Sequence, residues 1–141
     1  MIARARRRLA GNEALARVTF VHGDAFSVAL PEGGYDAVVT LFFLDCFANE
    51  QVSSLISRVG RSLRPDAIWL FADFVLPHRG WRRRRAGIWL AVLYAFFRWQ
   101  TRLTVRVLPE SERLFAEAGW RPAEVREFQA GMLRSVLWRR L

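Results

Sequence analysis

One apolar run in the first half of the chain constrains the fold more than any other feature. Residues 35–47 read Tyr-Asp-Ala-Val-Val-Thr-Leu-Phe-Phe-Leu-Asp-Cys-Phe, between Gly33-Gly34 and a pattern typical of an amphipathic helix. A short β-branched run bounded in this way is typical of a strand buried on both faces. Such strands form parallel sheets covered by helices, and ligands bind beyond their C-terminal ends. The sequence therefore predicts an α/β fold with a ligand site near residues 41–47.

Composition indicates one globular domain over residues 1–141. A hydrophobic fraction of 52% argues against intrinsic disorder. All 22 basic residues are arginine, which indicates a compositional bias rather than selection for nucleic acid, so we expect no nucleic-acid partner. The single cysteine, Cys46, excludes an internal disulfide or a CxxC metal pair and favours a reducing cytoplasm. The longest apolar run, residues 88–97, is half a membrane span, and we expect no signal peptide.

Strand and helix patterns alternate along the chain. After the strand at 35–41, Asn49 can cap a helix with apolar residues on one face, and Pro65 stops that helix. A strand over 67–74 completes a right-handed strand–helix–strand unit. The other predicted elements are a helix over 1–15, a strand over 17–22, a helix over 86–99, a short helix from Ser111 to Gly119, and a hairpin of 120–128 and 132–139.

This order of elements, with its residues, resembles the class I S-adenosylmethionine-dependent methyltransferases. Residues 18–25 look like the family's third strand and the aspartate that follows it, and the Tyr-Asp pair at 35–36 resembles the start of the fourth. The Leu-Arg-Pro of 63–65 and the Ala-Gly-Trp of 118–120 are similar to the steps before the fifth strand and the last hairpin. The resemblance implies a partial Rossmann-like sheet, mostly parallel, with a C-terminal antiparallel hairpin.

Two parts of the family pattern differ in this sequence. Asp66-Ala67 stands where the family has Gly-Gly, and a turn tolerates this because aspartate accepts left-handed backbone. No Gly-x-Gly-x-Gly loop is present, and the family's first two strands have no counterpart before residue 18. Those strands lie between the third and fourth in the family's sheet. We therefore expect a single truncated methyltransferase domain, from a truncated gene product, a misplaced start codon or a split fragment.

The resemblance implies S-adenosylmethionine as cofactor and assigns its contacts. Asp24 would accept a hydrogen bond from the adenine amino group, and Ala25 and Phe26 would line the adenine pocket. Leu41 and Phe42 would border the methionine end. Each also has a structural explanation: a turn for the aspartate, and core or strand-end packing for the apolar side chains. Since the Gly-rich loop is absent, we expect the chain alone to bind the cofactor weakly or not at all.

Candidate catalytic groups follow the predicted strands. His78 is the best candidate general base, although a solvated loop histidine is the alternative, and many methyl transfers need only alignment of donor and acceptor. Asp45 is expected to be a solvated loop residue. Cys46 is expected to be a buried structural thiol, because neither histidine is paired with it in sequence.

Two functions from different classes remain open. The first is transfer of a methyl group to a small, hydrophobic molecule. The alternative is a non-catalytic binding or membrane-surface module, which would use the basic loop 82–85 and the apolar helix 86–99 for weak, salt-sensitive contact with anionic lipid. A solvated basic run beside a helix that covers the active site also explains that segment. The acceptor and the oligomeric state are not encoded in any motif.

Overall fold

A computed structural model describes residues 2–11, 16–75 and 109–140 of the chain. The predicted helix 86–99, the basic loop 82–85 and His78 lie outside the described residues. The elements are α1 (Ile2–Leu9), β1 (Tyr35–Leu41), a 3-10 turn (Leu44–Cys46), α2 (Asn49–Arg61), β2 (Leu63–Phe74), α3 (Ser111–Glu117), β3 (Trp120–Phe128), a second 3-10 turn (Gln129–Gly131) and β4 (Leu133–Arg140).

The four strands form one sheet in the order β1-β2-β4-β3. β1 and β2 are parallel and are joined through α2, as the strand–helix–strand pattern predicted. β4 is antiparallel to both of its neighbours, so the C-terminal hairpin continues the sheet beyond β2. The predicted α/β class is confirmed, and the hairpin lies within one residue of its predicted bounds.

Aromatic side chains pack the core between the sheet and helices α2 and α3. β2 alternates, so that Ala67, Trp69, Phe71 and Asp73 are buried on one face. The ring of Phe115 from α3 lies edge-on to Trp69, with centroids 4.9 Å apart, and is stacked with the ring of Trp138 at the same distance. Burial of each large apolar side chain contributes roughly 1.5–3 kcal/mol, so this cluster fixes α3 against β2 and β4.

Helix α2 covers the same face through the apolar stripe predicted from its sequence. Val52, Leu55 and Ile56 are buried. Asn49 is the first helical residue rather than the cap, and its Oδ1 accepts a hydrogen bond from the Glu110 N–H at 3.0 Å. The N–H of the cap residue, Ala48, donates to Oε1 of Gln51 at 3.1 Å. The predicted role of the asparagine was therefore wrong, because its side chain joins the start of α2 to the start of α3.

Three other elements differ from their predicted bounds. α1 ends at Leu9, and Gly11 follows it with a positive φ of 85°. β2 begins at Leu63, and residues 64–66 bulge from its pairing with β1. The strand predicted over residues 17–22 is absent, because β1 pairs only with β2 within the described residues and no strand lies beside this segment.

Candidate functional site

The chain turns sharply where β1 ends, at the edge where the sequence predicted a ligand site. Phe42 has a positive φ of 51°, which is uncommon for a residue other than glycine and costs on the order of 1–3 kcal/mol. Its N–H donates to the carbonyl of Ala72 at 2.8 Å, and its ring contacts that of Phe74 with centroids 5.2 Å apart. These contacts hold the unusual conformation and direct the chain towards the end of β2.

A buried carboxyl joins this turn to β2. The Asp73 side chain is 3% exposed. Its Oδ2 accepts the backbone N–H of Asp45 at 3.1 Å, and its Oδ1 accepts the N–H of Phe74 at 3.2 Å. Since Asp45 lies in the 3-10 turn after β1, the C-terminal ends of the two parallel strands are connected through one side chain.

Burial and mutual repulsion control the charge of this pair. Burial, with the neighbouring charge of Asp45, raises the pKa of Asp73 to about 7. Burial also raises the pKa of Asp45, against the lowering effect of its hydrogen bonds. The negative charge of Asp45 thus opposes ionisation of the Asp73 carboxyl group. At neutral pH the pair is therefore partly protonated.

Cys46 is a half-buried thiol beside this pair. Its Sγ donates to Oδ1 of Asp45 at 3.5 Å. Burial, followed by the negative charge of Asp45, raises the pKa of the Cys46 thiol to about 11. The thiolate is the reactive form of cysteine, so this thiol is a poor nucleophile at neutral pH.

A second predicted part of the site lies in the turn after residue 23. Oδ1 of Asp24 accepts the N–H of Phe26 at 3.0 Å, and its backbone carbonyl accepts the N–H of Val28 at 2.8 Å. This is the turn role predicted as one explanation of the aspartate. Asp24 is exposed, and Ala25 and Phe26 are half-buried against the core.

Aromatic contacts connect the two parts. The ring of Phe47 lies edge-on to Phe26 and to Phe43, with centroids 5.1 Å apart in each case. The turn that holds Asp24 therefore lies next to the segment after β1. Leu41 and Phe42 are 52% and 50% exposed at this end of the sheet. Cofactor binding by these residues stays a prediction.

The carboxyl pair is the feature that sequence reasoning missed. Asp45 was expected to be solvated, but it is half-buried and bonded to Asp73. The sequence contained a signal for the burial of Asp73. This residue continues the alternation of Trp69 and Phe71, so its side chain points to the same face as theirs, towards the core.

Two further classes of site are not found in the part of the chain that the structure describes. Across residues 2–11, 16–75 and 109–140, no group of three or more His, Cys, Asp or Glu side chains could hold a metal ion. Over the same ranges, no helix is both long and apolar enough to cross a membrane.

Comparison with known proteins agrees with this geometry. The model of a methyltransferase domain family matches residues 1–66. Mitomycin 7-O-methyltransferase MmcR is 22% identical, with a TM-score of 0.71 over 99% of this chain and 39% of its own. An O-methyltransferase family 2 protein from Planctomyces limnophilus, solved with apigenin, is 14% identical, with a TM-score of 0.76 over 99% of this chain and 40% of its own.

A third solved methyltransferase also shares the fold of this chain. Methyltransferase CalO6 is 19% identical, with a TM-score of 0.71 over 97% of this chain and 45% of its own. The chain thus spans less than half the length of these three proteins. No curated protein is close enough in sequence to match.

The strand order, the strand–helix–strand unit and these likenesses together define an α/β fold of the methyltransferase type. The resemblance to methyltransferases is confirmed over residues 1–66 by the family model, and nearly the whole chain shares the fold of solved methyltransferases.

Proposed function

We propose that this chain forms part of an S-adenosylmethionine-dependent methyltransferase that acts on a small, hydrophobic molecule. The observation that carries the proposal is the position of Leu41 and Phe42, which are exposed at the C-terminal end of a parallel strand in a methyltransferase-type sheet. Ligands of such sheets bind at this edge. The resemblance assigns these two residues to the methionine end of the cofactor, next to the transferred methyl group.

The turn at residues 24–26 would hold the adenine end of the cofactor. Asp24 and the amide of Ala25 would recognise adenine, and Phe26 would contact its face. Their position next to the segment after β1, through Phe47, supports a single continuous site. Methyl transfer needs the acceptor in line with the carbon–sulfur bond, so the role of these residues is orientation rather than acid–base chemistry.

The acceptor would lie against the apolar end of the sheet. The rings of Phe42 and Phe74 are in contact there, and Phe42 is half exposed. Exposed aromatic surface at a strand end suits an apolar ring in the acceptor. An O-methyltransferase solved with apigenin has a similar fold, which supports this class of acceptor without naming it.

Titration of the ¹⁵N-labelled chain with S-adenosylhomocysteine, followed by NMR, tests the proposal. Because the chain has no Gly-rich loop, we expect weak binding, with chemical-shift changes confined to the amides near Ala25, Phe26 and Phe42. The variant Asp24→Ala should reduce the changes near the adenine end. The matched control is Asp66→Ala, an exposed aspartate on the β2 bulge, which should leave them unchanged.

Changes spread evenly over the chain, or changes that are as large in Asp24→Ala as in the wild type, would overturn the assignment of the cofactor site. A parallel titration with 2-naphthol tests the acceptor side. We expect changes at Phe42 and Phe74 that the variant Phe42→Ala removes. Equal changes in that variant would contradict an apolar acceptor at this position.

A further inference from the structure

Strand β3 is an exposed edge of the sheet. Its hydrogen-bonded neighbour in the described residues is β4 alone. Residues 121–128 are all exposed, including Val125 at 42%. A long exposed edge strand carries unpaired N–H and C=O groups and can pair with another chain. The side chains of β3 determine which partner strand this edge can accept.

Two opposite charges on β3 lie on either side of one residue. Glu124 and Arg126 lie on the same face and form an ion pair at 2.6 Å, with Val125 between them. A two-fold axis perpendicular to the sheet would pair β3 with a second β3 in antiparallel orientation. In antiparallel pairing, residues directly opposite each other point to the same face of the sheet. Because this axis keeps every residue on its own face, it must pass through a residue position and not between two residues. Centred on Val125, it places each Glu124 opposite an Arg126 of the second copy.

Other symmetric registers are less favourable. An axis through Glu124, Arg126 or Glu127 would place identical charges directly opposite each other, which is destabilising in a sheet. Centring on Val125 instead forms two unlike-charge pairs and opposes two valine side chains, all within the regular part of β3 after the register shift between Pro122 and Glu124. The charge pattern therefore favours a second copy of β3 as the partner, in the register centred on Val125.

We propose that the chain forms a two-fold homodimer in which the β3 strands pair antiparallel about Val125. The two sheets would join into one, and the exposed backbone groups of β3 would be satisfied. The formal charge of +9 per chain opposes association, but exposed charges farther apart than about 8 Å are largely screened at physiological salt. This inference is independent of the proposed function.

Sedimentation velocity of the full chain, over a range of concentrations at physiological salt, tests the homodimer. We expect the wild type to dimerise as concentration rises. Glu124→Arg and Arg126→Glu each turn two attractive pairs into two repulsive ones, so each should weaken dimerisation by about tenfold. The double variant restores unlike pairs and should regain nearly all of the wild-type affinity.

Two further variants keep the test decisive. Val125→Arg changes an exposed side chain and places two like charges on the axis, so it should separate the dimer even if the other single variants fold poorly. Glu117→Arg reverses an exposed charge on α3 and should leave dimerisation unchanged. A monomeric wild type at every concentration, single variants that dimerise normally, or a double variant that stays monomeric would each overturn the proposal.

Discussion

Asp73 shows how one side chain couples the ends of two strands. Its carboxylate accepts N–H groups from Asp45 and Phe74, so it holds the turn after β1 against the end of β2. Burial opposes its ionisation. The turn that positions Leu41 and Phe42 therefore depends on a group that changes charge near neutral pH.

This coupling predicts a pH-dependent stability. The pKa of Asp73 is raised from 3.8 to about 7, so the folded chain holds the proton more tightly than the unfolded chain. The stabilisation that comes from this tighter proton binding is complete below about pH 4 and is lost as pH rises towards 7. Relative to Asp73→Asn, which mimics the protonated acid, the wild-type free energy of unfolding should fall between pH 4 and 7 and stay constant above it.

Urea unfolding of both proteins across this range measures the difference. Asp73→Ala is the matched variant, since it removes both the charge and the acceptor for the Asp45 N–H. We expect it to be less stable than Asp73→Asn at every pH. A difference between wild type and Asp73→Asn that does not change with pH would show that the carboxyl titrates normally.

At the scale of single residues, the sequence predicted those features that depend only on neighbouring residues in the chain. The turn at Asp24 was predicted as one of two roles, and its hydrogen bond to Phe26 is present. The left-handed conformation of Phe42 was not predictable, because it depends on a contact with Ala72 that is 30 positions away in sequence. The proximity of Asp45 and Asp73 likewise requires the register of two strands.

At the scale of elements, local signals predicted most bounds but not the contacts between elements. The helix α2 and the C-terminal hairpin follow from apolar periodicity and turn residues. The segment 17–22 has strand-forming residues but no neighbouring strand, so its propensity is not realised. The asparagine at the start of α2 was predicted to cap its own helix, yet it bonds to the start of α3.

That bond predicts a measurable link between the two helices. Asn49→Ala removes the acceptor for the Glu110 N–H and should lower the free energy of unfolding by about 1 kcal/mol. Asn49→Asp keeps an oxygen acceptor and adds a negative charge in the first turn of α2, so it should retain wild-type stability or exceed it. Thermal unfolding followed by circular dichroism compares the three. Equal stability of the alanine variant would show that the link contributes nothing.

At the scale of the whole molecule, β2 and β4 are the interior strands of the described sheet. Each is hydrogen-bonded on both sides, whereas β1 and β3 are bonded on one side. The large buried rings, Trp69 on β2 and Trp138 on β4, lie opposite each other in that central pair. The centre of stability is therefore predicted to lie along β2 and β4.

Hydrogen exchange measures this distribution. In Val125→Arg, chosen so that dimerisation does not protect β3, the amides of β2 and β4 should exchange only through global unfolding. Those of β3 should exchange at least about tenfold faster, through local opening. Protection of β3 equal to that of β4 would contradict an edge position for β3.

The strand that completes the sheet is the last of the described strands to be synthesised. A ribosome that has released residues up to Gly131 has delivered β1, β2 and β3, but β2 and β3 have no strand to join them. The nascent chain therefore exposes the unpaired backbone edge of β2 until residues 133–140 are free to join it. Until β4 is in place, the unpaired edges of β2 and β3 can pair with another chain, so the order of synthesis favours misassociation before the hairpin closes.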